Sequence, residues 1–168
     1  MNLDAALYMI RCCEHKAADV NDDSCYSVFY GGSLFSNFTD HPCITGEKKG
    51  VPLPEAWCKK LGFADGRCVS TAAGAYQFTV PTWKQYRTVE PHLSDFSKNN
   101  QDEACRRVLR EIGAAALFEQ NDFAGGLARA SKKWASLPGS TAGQSVRSLG
   151  FAQLVYDEGL ARSNRGIA

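Results

Sequence analysis

The chain has 168 residues and a formal net charge of +1, and these values exclude several classes of protein. The near-neutral charge argues against nucleic-acid binding, which usually shows as a large basic excess. No apolar run approaches the length of a membrane span, and the first residues, MNLDAAL, lack the basic region of a signal peptide. We therefore expect synthesis in the cytosol, no stable membrane insertion and a single domain over residues 1–168.

The first fifteen residues predict an amphipathic helix that carries an acid near its end. Leu3, Leu7 and Ile10 recur at helical spacing on one face, and Glu14 lies in the middle of that face. Burial and the negative end of the helix dipole both raise the pKa of a carboxyl group. A general acid that works near neutral pH needs such a raised pKa. Glu14 is therefore the candidate catalytic residue.

The segment after this helix predicts a β-hairpin and then a long loop. Tyr26, Val28 and Tyr30 alternate with other side chains, and Gly31-Gly32 can form the turn. Residues 40–74 are rich in Gly and Pro, and only 54–61 predicts a short helix there. A long irregular segment in a small domain usually indicates a functional loop, the alternative being an ordinary solvated loop.

The second half of the chain predicts helices. The first helix is capped by Thr79 and stopped by Glu90-Pro91, and the second runs from a cap at Asn99 or Asn100 to Gly113. The third covers 114–120, the fourth runs from an Asp122 cap to about Trp134, and the last covers 146–160. The pattern indicates an α+β fold that is mostly helical, with one small antiparallel sheet near the front of the chain.

The seven cysteines form no regular framework. In a cytosolic protein we expect most of them to be reduced and packed. Cys58 and Cys68 lie at the two ends of a short glycine-containing segment, and they are the pair that we expect to oxidise outside the cell. The cysteines and histidine near the first helix lack the paired spacing of zinc sites. We therefore predict no metal and no other cofactor.

Four segments are distinctive: YGGSLFSNFTDHP (30–42), STAAGAYQFTVPTWKQYR (70–87), QDEACRRVLREIGA (101–114) and ASKKWASLPGSTAGQ (130–144). They resemble, in the same order and with similar gaps, segments of the lambda-type phage endolysins, glycoside hydrolase family 104. Four blocks that cover about half the chain are far more specific than a single short motif. The resemblance implies a lysozyme-like fold with its small sheet or hairpin beside the active-site cleft.

The resemblance also implies a lytic transglycosylase that acts on peptidoglycan. Such an enzyme cuts the β-1,4 bond between N-acetylmuramic acid and N-acetylglucosamine without water and leaves a 1,6-anhydro-muramyl end. Glu14 occupies the position of the family's catalytic acid and would act first as acid and then as base. The alternatives are a hydrolytic muramidase that uses Asp23 as a second carboxylate, and a wall-binding module without turnover.

Further site residues and partners follow from the same resemblance. Tyr76 and Gln77, together with Ser70 and Thr71, are expected to bind the glycan, although a buried packing role is the alternative for Tyr76. The loops 42–69 and 137–144 would form two lips, and Gln144 in the second lip would bind sugar. We expect a monomer that is made in the host cytoplasm, is released through a holin, and acts on glycan strands of the wall in the periplasm.

Overall fold

The computed structural model describes residues 2–89, 93–141 and 146–165. Within these ranges the chain is mostly helical and has one two-stranded antiparallel sheet, which confirms the predicted α+β class. In chain order the elements are α1 (Asn2–Glu14), α2 (Ala17–Asn21), β1 (Val51–Pro52), α3 (Glu55–Lys60), β2 (Val69–Ser70), α4 (Val80–Val89), α5 (Lys98–Glu111), α6 (Ala114–Glu119), α7 (Phe123–Ala130) and α8 (Leu149–Asn164). None of the helices in the described ranges is both long enough and apolar enough to cross a lipid bilayer.

The chain divides into two compact units. The terminal unit comprises residues 1–23 and 102–168, and the central unit comprises residues 24–101. The expectation of one domain over 1–168 stays a prediction.

In the terminal unit, α1 is buried on almost every side and packs against α6 and α8. Full burial of a side chain such as Ile10 contributes about 2 kcal/mol to folding. A Cβ on Gly159 of α8 would lie 2.8 Å from the Cα of Ala5, so only glycine allows the two helices to approach this closely. The ring of Tyr156 adds an aromatic contact at 5.5 Å from Phe118. Helix α1 is therefore the central helix of this unit, and Glu14 is its last residue.

In the central unit, a buried amide ties distant backbone segments together. The side chain of Gln101 donates to the carbonyl oxygens of Tyr26 (3.0 Å) and Phe96 (2.8 Å) and accepts from the amide of Ala75 (2.9 Å). Gln101 is fully buried, and its amide forms hydrogen bonds with three backbone groups. This network holds the GAYQF segment against the chain around residue 26.

A second polar cluster of the central unit is centred on Asp40. Its carboxylate accepts from the indole Nε1 of Trp83 at 2.8 Å and forms an ion pair with Arg87. The neighbouring His41 is fully buried, and its Nε2 hydrogen-bonds the carbonyl oxygen of Phe78 at 3.0 Å. Asp40 therefore fixes α4 to the loop around residue 40.

The predicted hairpin is present only as a remnant. Ser24–Ser27 form a 3-10 helix rather than a strand, and a single bridge joins Val28 to Leu34 around Gly31-Gly32. Both glycines have φ near +90°, as the predicted turn requires. The hydroxyl of Ser27 donates to the carbonyl oxygen of Ser24, and this local bond favours the turn over an extended strand. The sheet lies instead inside the long loop, where Val51 pairs with Ser70 and Pro52 pairs with Val69.

Most predicted helices are found, with corrected ends. Helix α5 begins before Asn99, so neither Asn99 nor Asn100 caps it, and Asn100 donates to Asp95 instead. Asp122 caps α7 as predicted, by accepting from Gly125 at 2.8 Å, but the helix ends at Ala130 rather than near Trp134. Helix α8 begins at Leu149 with a Ser148 cap, and the short helix α2 precedes the segment that was predicted to form the hairpin. The predicted Glu90-Pro91 stop of α4 lies outside the described residues.

The long loop contains a disulfide between Cys58 and Cys68, the pair favoured by the sequence. The other cysteines are free thiols, and Cys12, Cys13, Cys25 and Cys105 are buried. Burial raises the pKa of the Cys105 thiol well above its ordinary value. The Cys105 thiol is thus protonated and inaccessible, whereas the bonded pair closes a loop.

Candidate active site

Glu14 lies at the point where α1 ends, in the terminal unit. Its side chain is half-buried, and the hydroxyl of Ser136 donates a hydrogen bond of 2.6 Å to Oε1. These two residues are 122 positions apart in the sequence, so only the fold brings them together. The short distance is typical of an O–H donor to a carboxylate.

The environment of Glu14 favours its protonated form. Burial raises the pKa of this carboxyl, whereas the Ser136 hydrogen bond and the positive charge of Arg147 lower it. Burial is the largest of these effects, and the resulting pKa lies above the ordinary value. The sequence predicted a raised pKa on the same ground, since the acid interrupts an apolar face. A carboxyl of this kind can hold a proton and release it to a reacting oxygen.

Arg147 binds the end of α1 on both sides of Glu14. Its Nε donates to the carbonyl oxygen of Cys13 at 3.2 Å, and a terminal guanidinium nitrogen donates to that of His15 at 3.3 Å. The last carbonyl groups of a helix lack partners within the helix, and an arginine can supply them. The backbone amide of Arg147 also donates to the carbonyl oxygen of Ser136 at 2.8 Å. One arginine therefore contacts the backbone beside Glu14 and the backbone of its hydrogen-bond donor.

Asp23, the alternative second carboxylate, lies in the turn that follows α2. Its backbone is left-handed, with φ 64°, and its amide donates to the carbonyl oxygen of Val20 at 3.4 Å. Aspartate is among the residues that adopt this conformation most readily in turns. A turn-forming role accounts for Asp23, and its use as a catalytic partner stays a prediction.

The predicted sugar-binding residues Ser70, Thr71, Tyr76 and Gln77 lie in the central unit. Tyr76 is buried, with 1% of its surface exposed, and its ring packs 5.8 Å from that of Phe78. Gln77 is half-buried with φ 50°, and its side-chain nitrogen donates to the carbonyl oxygen of Gly74 at 3.0 Å. The packing role that was the alternative for Tyr76 agrees with this burial, and glycan binding by the pair stays a prediction.

Ser70 and Thr71 hold the backbone at the start of the same segment. The hydroxyl of Thr71 accepts from the amide of Val80 at 3.0 Å, and that of Ser70 accepts from the amide of Ala72 at 3.3 Å. Both side chains remain half-buried. The last predicted binding residue, Gln144, lies outside the described residues.

The first predicted lip contains the small sheet, α3 and the disulfide. An apolar groove of about 570 Å³ lies against the disulfide, with Leu53, Phe63 and Val69 in its wall. Trp57 of α3 is 37% exposed, so its ring is accessible to a ligand. In the part of the chain that the structure describes, no three His, Cys, Asp or Glu residues gather in a group that could hold a metal ion.

The sequence did not indicate Ser136 or Arg147 as site residues. Ser136 belongs to the segment WASLPG, which resembles an endolysin block, and this was the one available signal. A serine in a loop otherwise looks like any polar loop residue. Arg147 follows the matched blocks and has no local pattern that distinguishes it from other surface arginines.

Comparisons with known proteins identify the family of the chain. A family model described as Endolysin matches residues 4–162. The endolysin of Escherichia phage lambda is 34% identical over 119 residues, which are 71% of this chain and 65% of that protein, so the match spans slightly less than two thirds of the relative.

Two solved structures are also similar. One is bacteriophage lambda lysozyme complexed with a chitohexasaccharide, with a TM-score of 0.74, 28% identity and coverage of 94% of this chain and 93% of that one. The other is lysozyme from bacteriophage lambda, with a TM-score of 0.64, 26% identity and coverage of 98% and 92%. These matches confirm the resemblance drawn from the four sequence blocks and the lysozyme-like fold. The chain belongs to the endolysin family.

Proposed function

We propose that the protein is an endolysin that degrades peptidoglycan, and that it does so as a lytic transglycosylase with Glu14 as its catalytic residue. The observation that carries this proposal is the half-buried carboxyl of Glu14 at the end of α1, with a raised pKa and a hydroxyl donor on one oxygen. Membership of the endolysin family supports the substrate class. The similar lambda lysozyme, solved with a chitohexasaccharide, supports a glycan ligand.

The proposed reaction needs one carboxyl group. Protonated Glu14 gives its proton to the glycosidic oxygen while the bond from that oxygen to C1 of the muramic acid breaks, and an oxocarbenium-like state forms. The oxygen of the sugar's own 6-hydroxyl then bonds to C1, and its proton passes to the Glu14 carboxylate. The glutamic acid is regenerated, no water is consumed, and the product is a 1,6-anhydro ring. We infer this route over hydrolysis because the side chains that affect the pKa of Glu14 in the described part of the chain are a serine and an arginine, and no carboxylate is among them.

The substrate-binding residues and the cellular route remain part of the proposal. We propose that Tyr76, Gln77, Ser70, Thr71 and Gln144 bind glycan strands of peptidoglycan. A chain made in the host cytoplasm would reach the wall in the periplasm after release through a holin, and would act there as a monomer.

The mass of the reaction products tests the mechanism. Purified peptidoglycan is digested with the protein, and the released muropeptides are weighed. Transglycosylation predicts anhydro ends, which are lighter by one water than the ordinary reducing ends that hydrolysis produces. Glu14→Gln should abolish release of both, and Glu119→Gln is a matched control because Glu119 is also the last residue of a helix, exposed and remote in sequence from this site.

Asp23→Asn separates the two reaction types further. In the proposed mechanism this variant keeps its activity and its anhydro products, because the reaction uses Glu14 as its one carboxyl group. If the protein were instead a hydrolytic muramidase that uses Asp23, the wild type would give ordinary reducing ends and Asp23→Asn would lose activity. Ordinary reducing ends in the wild-type digest would therefore overturn the transglycosylase mechanism while leaving wall degradation intact.

A further inference from the structure

We propose that Ser136 and Arg147 are the positioning residues of Glu14, and that they act as one closed network at the end of α1. This inference rests on the proposed role of Glu14. It concerns how one carboxyl oxygen is held and the other is left for chemistry.

The network closes on itself through five described hydrogen bonds. Ser136 Oγ donates to Glu14 Oε1 (2.6 Å), the Arg147 amide donates to the Ser136 carbonyl oxygen (2.8 Å), and the Arg147 guanidinium donates to the carbonyl oxygens of Cys13 (3.2 Å) and His15 (3.3 Å). The His15 amide in turn donates to Arg11 within the last turn of the helix (2.9 Å). The side chain of Glu14 and the backbone on both sides of it are therefore tied to Ser136 and Arg147.

The Ser136 bond distinguishes the two oxygens of Glu14. A hydroxyl that donates to Oε1 requires Oε1 to accept, so the acid proton belongs on Oε2. Ser136 thus determines which oxygen of Glu14 carries the proton. It also supplies a hydrogen bond that is stronger once Glu14 has become a carboxylate. That second property stabilises the charged form between the two proton transfers.

Arg147 acts mainly through geometry. Its side chain is exposed, so solvent screens its charge, and its two contacts are to carbonyl oxygens rather than to the carboxylate. The guanidinium also lies 5.4 Å from the ring of Phe151, which restrains its orientation. A lysine at this position keeps the charge and loses the planar fork that reaches both carbonyl groups.

The charged and titratable groups around Glu14 limit how its protonation can change. Segment 136–147 contributes the Ser136 hydroxyl and the Arg147 guanidinium, and α1 contributes the neighbouring Cys13 thiol. Burial raises the pKa of Cys13 to about 12, so this thiol is neutral near neutral pH. Ser136 and Arg147 both favour the carboxylate, and removal of either raises the pKa of Glu14 further.

The test compares Ser136→Ala, Ser136→Thr and the wild-type protein by rate and pH profile. We expect Ser136→Ala to lower kcat roughly tenfold with little change in KM, since one hydrogen bond to a charged group is lost in the reacting state. Activity that needs protonated Glu14 falls as the pH rises through the pKa of Glu14, which gives the pH profile a descending limb. Because the Ser136 hydrogen bond lowers this pKa, the limb should move to higher pH in Ser136→Ala. Ser136→Thr keeps the hydroxyl and should therefore have the kcat and the pH limb of the wild type. Ser131→Ala is the matched control, because the Ser131 hydroxyl donates to a helix carbonyl at 3.2 Å.

Arg147→Lys and Arg147→Gln separate geometry from charge. We expect both to lower kcat by similar factors, and only Arg147→Gln to move the pH limb, by a smaller amount than Ser136→Ala does. Arg110→Lys is the control, since Arg110 is exposed and pairs with Glu103 on α5.

A titration that needs no activity completes the test. The Glu14 carboxyl carbon is followed by NMR in ¹³C-glutamate-labelled protein, and the signal is assigned by its absence in Glu14→Gln. A higher midpoint in folded Ser136→Ala supports the network, whereas an unchanged midpoint together with an unchanged kcat overturns it. If Glu14→Gln stays lytic, the proposed function fails instead, so the two failures are distinguishable.

Discussion

Glu14 and Glu47 are glutamates in opposite situations. Glu14, in the terminal unit, is half-buried with one hydroxyl donor on Oε1, and burial raises its pKa. Glu47, in the central unit, accepts from the backbone amides of Asn37 and Ser36, both at 2.8 Å, and these bonds lower its pKa. The first carboxyl is arranged to carry a proton and the second to remain charged. Burial of the first carboxyl and direct backbone donors to the second, rather than the acidic residue type, separate a raised pKa from a lowered one.

Asp40 extends the comparison. Its carboxylate binds the Trp83 indole, the Arg87 guanidinium and the backbone amide of His41, so it has three direct donors and one of them is charged. Arg147, the positive group that lowers the pKa of Glu14, instead contacts backbone carbonyl oxygens. A carboxylate in a direct ion pair is suited to holding a loop.

The largest expected effect is the loss of activity in Glu14→Gln. General acid catalysis contributes roughly 10²–10⁴ in rate, and we expect a loss of about that size in the release of soluble muropeptides. Because the folded-state pKa of Glu14 is raised, its ionisation destabilises the fold as the pH rises above its ordinary value of 4.5. The amide removes this effect. Thermal unfolding at neutral pH should therefore show Glu14→Gln to be at least as stable as the wild type.

Asp40→Ala should give the opposite pattern, a large loss of stability. The substitution leaves the Trp83 indole and the Arg87 guanidinium without their acceptor, and we expect the free energy of unfolding to fall by about 2–3 kcal/mol. Urea denaturation measures it. Asp65→Ala is the control, since Asp65 accepts one amide in an exposed turn. Equal stability of the two variants would contradict the structural role of Asp40.

Removal of the disulfide tests whether the protonation of Glu14 is independent of the loop that Cys58 and Cys68 close. Cys58→Ser with Cys68→Ser releases a closure of 10 residues, and the free energy of unfolding should fall by about 2–3 kcal/mol. The pH limb assigned to Glu14 should not move, because the bonded pair belongs to the central unit. Urea denaturation and a pH–rate profile measure the two quantities, and a shifted limb would show that the units are coupled.

Glu47→Gln should have the smallest effect on stability, and this effect should depend on pH. The folded-state pKa of Glu47 is lowered, so its contribution to stability is present above the ordinary value of 4.5 and is lost as the pH falls through the folded-state pKa. The melting temperature of Glu47→Gln should lie slightly below that of the wild type at neutral pH and converge with it in acid. Parallel curves at all pH values would contradict this assignment.

The sequence was sufficient for features that depend on local spacing. Helical periodicity predicted α1 and placed Glu14 at its end, and the Asp122 cap of α7 follows from residue type alone. The sheet could not be placed in this way, since strands of two residues show no alternation. The alternation at Tyr26–Tyr30 instead accompanies a 3-10 helix and a turn.

The partners of Glu14 were beyond local reasoning for a different reason. Ser136 is 122 residues away, and a hydroxyl contact between distant segments leaves no periodic trace. Arg147 binds backbone carbonyl groups, which every residue has, so no complementary side chain could point to it. The position of the acid could be predicted from the sequence, whereas the groups that set its protonation required the tertiary structure.

The ring closed by Cys58 and Cys68 also determines how this protein responds to proteases. Lys59, Lys60 and Arg67 are exposed and all lie between the two bonded cysteines. A trypsin-like cut after any one of them leaves both ends joined through sulfur, so the nicked chain migrates as one piece until it is reduced. Three exposed basic residues of this loop thus lie where a single cut does not divide the molecule, whereas the exposed Lys49 lies outside the ring.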